Sequence, residues 1–162
     1  GWLNSFLNQG GNLYMEGMRT WHEDEPTILH PRFNLETVIP GNYFEIDRIE
    51  GIEGQITSDI SVDYSGSMPF NNHYLQATDS SFAILESGLD TACTVASSIS
   101  NYKTIGSSLL FGSMMNADSV PMKSSYAMSI LSFFGIEIQY VDTPENDVHE
   151  EPNMIEVYPW FD

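Results

Sequence analysis

Four consecutive side chains, His22-Glu23-Asp24-Glu25, are the densest group in this chain able to do acid–base or metal chemistry. An imidazole can move protons near neutral pH, and neighbouring carboxylates offer oxygen ligands to hard cations. Zinc does not fit the spacing, because no second histidine follows at the fourth position to put two imidazoles on one helix face. Calcium is the one cation that the carboxylates here and in 142–151 leave open, although no Asp-x-Asp-x-Asp-Gly loop occurs. The sequence therefore nominates no metal site and no cofactor, and a solvated loop or helix start is the expected state of these four residues.

The remaining candidates are isolated. Cys93 sits in TACTVA, a run of strand character with no neighbouring histidine, and is expected to be a small buried hydrophobe. His30 precedes Pro31, which biases it to extended backbone in a structural turn. His73 is expected on the surface of a polar loop, and His149 among carboxylates that favour its protonated form. Asp63-Tyr64-Ser65-Gly66-Ser67 lacks the G-x-S-x-G spacing of a nucleophile elbow. No serine triad, G-x-G-x-x-G or phosphate loop is present, and Glu50 and Glu53 beside Gly51 and Gly54 would repel a phosphate.

The elements that must position these residues follow from spacing and composition. A helix is expected over 2–9, with Trp2, Leu3, Phe6 and Leu7 close to one face and Gly10-Gly11 ending it. A short strand over 12–16 breaks at Gly17, and 18–40 reads as loop with one or two helical turns. Strands are expected at 43–49 and 56–62, an exposed loop at 64–72, and a hairpin or meander from 81–85, 93–97 and 104–111. A polar turn over 112–119 leads to a helix at 121–134, with Ala127, Ile130, Leu131 and Phe134 on one face. Gly135 takes the left-handed position after it, and 136–141 reads as another strand. Strand, loop, helix, strand is the crossover unit of a parallel sheet. The expected class is thus α/β: a mainly parallel, flavodoxin-like sheet flanked by helices, with a β-rich insertion in the middle, spanning 1–141. An acidic tail or linker follows at 142–162, with 154–161 apolar enough to dock.

A chain of 162 residues, 41% hydrophobic and 12% aromatic, suits one domain with a real core. Five Lys and Arg stand against 23 Asp and Glu, a net charge of −18. Such a surface repels phosphate, so nucleic acid and anionic membrane are poor partners, and cationic partners or solubility in salt suit it better. One cysteine excludes an internal disulfide, and no apolar run of about 18 residues is available to insert in a membrane. The chain opens inside a helix-like segment without a signal peptide, as expected of a fragment whose upstream elements are missing.

Two stretches carry a family resemblance. WLNSFLNQGGNLYMEG resembles the helix–Gly-Gly–strand of class I glutamine-amidotransferase-like domains, and IGSSLLFGSMMNADSVPMKSSYAMSILSFFGI resembles their closing strand–loop–helix in large secreted or surface bacterial proteins. The resemblance implies that the front strand and the strand near 104–111 lie side by side and aligned in one sheet. It also implies a sharp turn after the front strand, where active members present a cysteine made acidic by the following helix. Here that turn reads Glu16-Gly17-Met18, so the amidotransferase chemistry is expected to be absent.

In a parallel sheet, ligands approach the carboxyl ends of the strands. That places the expected ligand-binding residues at Glu16, Gly17, Arg19 and nearby His22, and at Ser113, Asn116 and Asp118. The expected function is a non-catalytic binding or structural module of an extracytoplasmic bacterial protein, touching neighbouring domains of the same chain. Two alternatives stand beside it: a hydrolase or metal-dependent enzyme using Glu16, His22 and nearby carboxylates, and a free-standing cytoplasmic protein of a halophile or marine bacterium.

Overall fold

The computed structural model describes residues 1–38, 46–65, 73–87, 91–99, 101–115 and 122–138. In chain order these form helix α1 (Trp2–Asn8), strand β1 (Leu13–Glu16), a 3₁₀ turn (His30–Phe33) and strands β2 (Leu35–Val38), β3 (Arg48–Gly51), β4 (Ser61–Tyr64) and β5 (Tyr74–Ala77). Strands β6 (Ser81–Ser87), β7 (Thr91–Ile99) and β8 (Tyr102–Ser107) follow. A second 3₁₀ turn (Phe111–Ser113), the short β9 (Met114–Met115) and helix α2 (Met122–Phe133) complete the order.

The meander β6–β7–β8 is the frame. Its segments are rich in Ile, Val, Thr and Phe, which fit a pleated and partly buried surface. Ile99 pairs with Tyr102, so β7 and β8 are joined by two residues, and three residues separate β6 from β7. Connections that short can only pair strands antiparallel, since a parallel neighbour needs a crossover of a dozen residues or more. The main sheet runs β1-β8-β7-β6-β3-β4-β9, and β2 and β5 form a separate two-stranded sheet. Among the described residues only β1 and β8 are parallel, with Leu13 opposite Thr104 and Glu16 opposite Ser107. All the other pairings are antiparallel.

The mainly parallel, flavodoxin-like α/β class is therefore corrected: the sheet is mixed, largely antiparallel and accompanied, among the described residues, by two helices. The antiparallel meander is not an insertion in a parallel sheet but the sheet's centre. The crossover reading failed at its last member, because 136–138 carry no strand and 139–141 lie outside the described residues. The expected adjacency of the front strand and the strand after residue 101 is present, as the single parallel pair. Residues 35–38, read as loop, are strand β2. The segments at 48–51 and 61–64 pair where strands 43–49 and 56–62 were expected, and Tyr64 is buried rather than part of an exposed loop. The tail 142–162 lies outside the described residues.

Two cores cover the two faces. The larger joins Ile49, Val62, Tyr64, Ile84, Leu85, Cys93, Ile105 and Leu109 to Tyr126 and Ile130 of α2. The smaller gathers Phe33, Leu75 and Val95 around Trp21, with Leu13 and Met15 against it. A register shift in β6 around Ile84 lets two successive residues, Ile84 and Leu85, both be fully buried. The freed Ile84 carbonyl accepts from the Ile52 N–H and the Thr57 hydroxyl.

Helix α2 buries Tyr126 and Ile130, with Met122, Phe133 and Phe134 against the core, so its inward face is centred on Tyr126 rather than Ala127. Its C-terminal carbonyls, which have no partners within the helix, are taken by side chains from the parallel pair. Lys103 Nζ donates to Phe133 O at 2.5 Å, and Asn12 Nδ2 donates to Phe134 O at 3.0 Å. Gly135 takes the left-handed backbone expected of it, at φ +81°.

Gly51 marks the closest backbone approach in β3: a Cβ there would sit 1.5 Å from Thr57 O, a main-chain atom with no freedom to retreat. Gly51→Ala is expected to lower unfolding stability by ~3 kcal/mol, at the upper end of what overpacking costs. Gly112→Ala meets nothing within 4 Å and should stay within about 0.5 kcal/mol of the parent in urea denaturation.

Candidate functional site

The carboxyl end of β1 is where the sequence places its best candidates, and its geometry follows from strand periodicity. Side chains two apart share a face, so Tyr14 and Glu16 both point toward the larger core, while Leu13 and Met15 join the smaller one. The Tyr14 hydroxyl donates to Glu16 Oε2 at 2.8 Å, and the Phe111 N–H donates to the same oxygen at 2.9 Å. Glu16 thus fastens β1 to the 3₁₀ turn that follows β8. Beside it the Tyr64 hydroxyl accepts from the Leu110 N–H at 3.0 Å. The fully buried Tyr126 hydroxyl sits against those of Tyr14 and Thr94 without a well-aligned hydrogen bond.

Burial pushes Tyr14 far above the ordinary phenol range, and the neighbouring Tyr126 and the Glu16 charge add to the shift. Burial likewise raises Tyr126 and Tyr64. Three neutral phenols thus lie on this face of β1, and one of them, Tyr14, is hydrogen-bonded to Glu16.

Gly17 and Trp21 turn the chain away from the sheet. The Gly17 N–H and the Trp21 indole N–H both donate to Ser107 O, at 3.0 and 2.8 Å. Arg19 and the exposed His22 lie along this segment, on the side of the smaller core. Arg19 pairs with Glu23 at 3.0 Å across one helical turn. His22 meets His73 with ring centroids 4.8 Å apart. Glu16 and His22 thus belong to separate groups, Glu16 on the Tyr14 face of β1 and His22 beside Trp21. The structure does not bring them together in one cleft.

His73 was expected on the surface and is instead 8% exposed, with neither ring nitrogen hydrogen-bonded among the described residues. Glu23 Oε1 lies 3.7 Å from its Nε2, beyond hydrogen-bond length. Burial lowers its pKa below the ordinary imidazole value, and His22 lowers it further against the opposing pull of Glu23. His30 accepts from the Thr27 N–H on Nδ1 at 2.8 Å and reaches Thr20 O through Nε2 at 3.0 Å, so it is a structural turn histidine as expected, but it opens the 3₁₀ turn His30–Phe33 instead of taking extended backbone. Ser113 O accepts from the Ser65 N–H at 3.0 Å, far from His22 in role; Asn116 and Asp118 lie outside the described residues. Cys93 is buried, and burial pushes its thiol up to about 12. Among the described residues no group of three or more His, Cys, Asp or Glu side chains is placed to hold a metal ion.

Sequence reasoning passed over Tyr14 and Tyr126 and placed His73 on the surface. For Tyr14 the signal was present, since Tyr14-Met15-Glu16 places phenol and carboxylate on one face of a strand. Tyr126 and His73 gave no local signal, because their neighbours come from distant strands.

No family model matches the chain, and no curated protein matches it in sequence. In structure it is similar to the N-terminal domain of mmIFT52, at 12% identity and TM-score 0.55, over 86% of this chain and 71% of that one. It is similar also to cytoplasmic protein STM3548 from Salmonella typhimurium, at 17% identity and TM-score 0.51, over 81% of this chain and 58% of that one. A third likeness is to the cold-adapted β-galactosidase from Rahnella sp. R3, at 10% identity and TM-score 0.50, over 83% of this chain but 20% of that one. Identities this low show a shared fold and nothing of activity.

Two outcomes test the site. Glu16→Ala leaves the Tyr14 hydroxyl and Phe111 N–H without their acceptor and should cost about 1–3 kcal/mol in chemical denaturation. Glu16→Gln keeps an oxygen able to accept both and should cost clearly less. For His73, the folded-state pKa lies below the unfolded value, so the unfolded chain binds its proton first. Its contribution to stability is full above about pH 6.5 and declines as pH falls through that value toward the folded pKa. His73→Gln should flatten the fall in melting temperature between about pH 7.5 and 5.5; an unchanged slope would remove His73 as its source.

Proposed function

We propose that this chain is a non-catalytic binding or structural module of an extracytoplasmic bacterial protein. The observation that carries the reading is the state of the groups best suited to chemistry. Glu16 spends its acceptor oxygen on Tyr14 and Phe111 within the fold. Cys93, the single thiol, is buried with its pKa pushed up to about 12, where the thiolate that attacks or ligates is scarce. The resemblance of the chain ends to class I glutamine-amidotransferase-like domains, with Glu16-Gly17-Met18 where a cysteine would stand, agrees with this. The net charge of −18 favours cationic surfaces, including those of neighbouring domains, and disfavours nucleic acid.

Iodoacetamide labelling followed by intact mass separates a structural thiol from a reactive one. At about pH 8 the native protein should take up no label over hours, while the denatured chain labels at the rate of an ordinary free cysteine. Native labelling as fast as that of the denatured chain would overturn the non-catalytic reading.

A further inference from the structure

We propose that His22 and His73 form a two-imidazole site for a divalent cation of the zinc, nickel and copper class. The site goes beyond the binding reading above and does not depend on it. The second imidazole that the spacing after His22 lacks is supplied from a distant segment, by the residue just before β5.

His73 is the unusual member of the pair. It is 8% exposed, and neither of its ring nitrogens has a hydrogen-bond partner among the described residues. Buried polar atoms are nearly always satisfied, so an imidazole orphaned at both nitrogens calls for a partner that the neighbouring protein groups do not supply. Its ring meets that of His22 with centroids 4.8 Å apart and planes inclined by 55°. Two imidazoles ligating one tetrahedral ion at about 2.0–2.1 Å put their ring centres roughly 5 Å apart. The observed spacing therefore suits one shared ion, and the exposed His22 is free to turn its nitrogen toward it.

Glu23 adds charge without joining the ligand set. Its Oε2 pairs with Arg19 at 3.0 Å, while its Oε1 lies 3.7 Å from His73 Nε2. Neighbouring ligands of a tetrahedral ion stand ~3.4 Å apart, so Oε1 falls just outside that shell and offers a negative charge beside it. Imidazole ligates in its neutral form, and burial, with His22 alongside, favours that form of His73. Nitrogen ligands suit zinc, nickel and copper, whereas calcium and magnesium take oxygen. An ion held here would clip the segment after β1 to β5 of the smaller sheet.

The test is a zinc titration of the full chain, followed by NMR of the histidine rings, with calcium as the control cation. Zinc should shift the His22 and His73 ring signals together and saturate them, while His30, committed to Thr27 and Thr20, stays still. Calcium should leave both rings in place. His22→Gln changes an exposed side chain and should weaken zinc binding about tenfold or more, taking the response of the His73 ring with it. Glu23→Gln should weaken binding by a smaller factor. The proposal is overturned if the two rings do not respond, if zinc shifts only His149 and carboxylates, if calcium moves both rings as zinc does, or if His22→Gln binds as tightly as the parent. None of these outcomes touches the labelling result for Cys93, so the non-catalytic reading stands or falls separately.

Discussion

Ser107, at the end of β8, is the point where the parts of this protein are joined. Its carbonyl takes the Gly17 N–H and the Trp21 indole, so the chain leaving β1 is turned back over the sheet and Trp21 is planted in the smaller core. Its hydroxyl meets the Thr94 hydroxyl at 2.9 Å on β7 and accepts from the Leu109 N–H at 3.1 Å. Both atoms are buried, where an unmade hydrogen bond costs the full desolvation of the group. The single parallel pairing, the meander beside it and the packed Trp21 therefore depend on one residue being satisfied from every side. Gly106 before it supplies the room: a Cβ there would sit 2.5 Å from Leu35 and 2.8 Å from the Trp21 ring.

The same economy governs Glu16. A carboxylate at a strand end beside neutral phenols has the ingredients of acid–base chemistry, yet its contacts are structural: one with Tyr14 within β1 and one with the Phe111 N–H that joins β1 to the turn after β8. Identity of side chain does not distinguish the two uses; the partners do. Here the partners are a tyrosine on the same strand and a main-chain N–H that has no other acceptor among the described residues.

The acidic composition then acts at the surface rather than in the core. The cations of the described residues are spent on local ties: Arg48 on Glu50 and Ser61, Lys103 on the end of α2, Arg32 on α1. The excess of 23 Asp and Glu over five Lys and Arg sets the net charge of −18, which repels phosphate-bearing surfaces.

Much of the local structure was legible in the sequence. Helix α1 ending at Gly10, β1, the meander over 81–107, the helix before Gly135 and the burial of Cys93 each follow from spacing, glycine placement or side-chain type, which act over a few residues. The helix after 121 was read correctly, but joining it to a further strand led to a parallel sheet that the structure does not have. Strand direction is a property of which distant segments pair, and the two- and three-residue links in the meander decide it. Tertiary structure alone decided that Glu16 and His22 serve different faces, that Tyr126 lies against Tyr14, and that His73 is buried against His22. Each is a meeting of side chains from segments far apart in sequence, and such meetings leave no pattern along the chain.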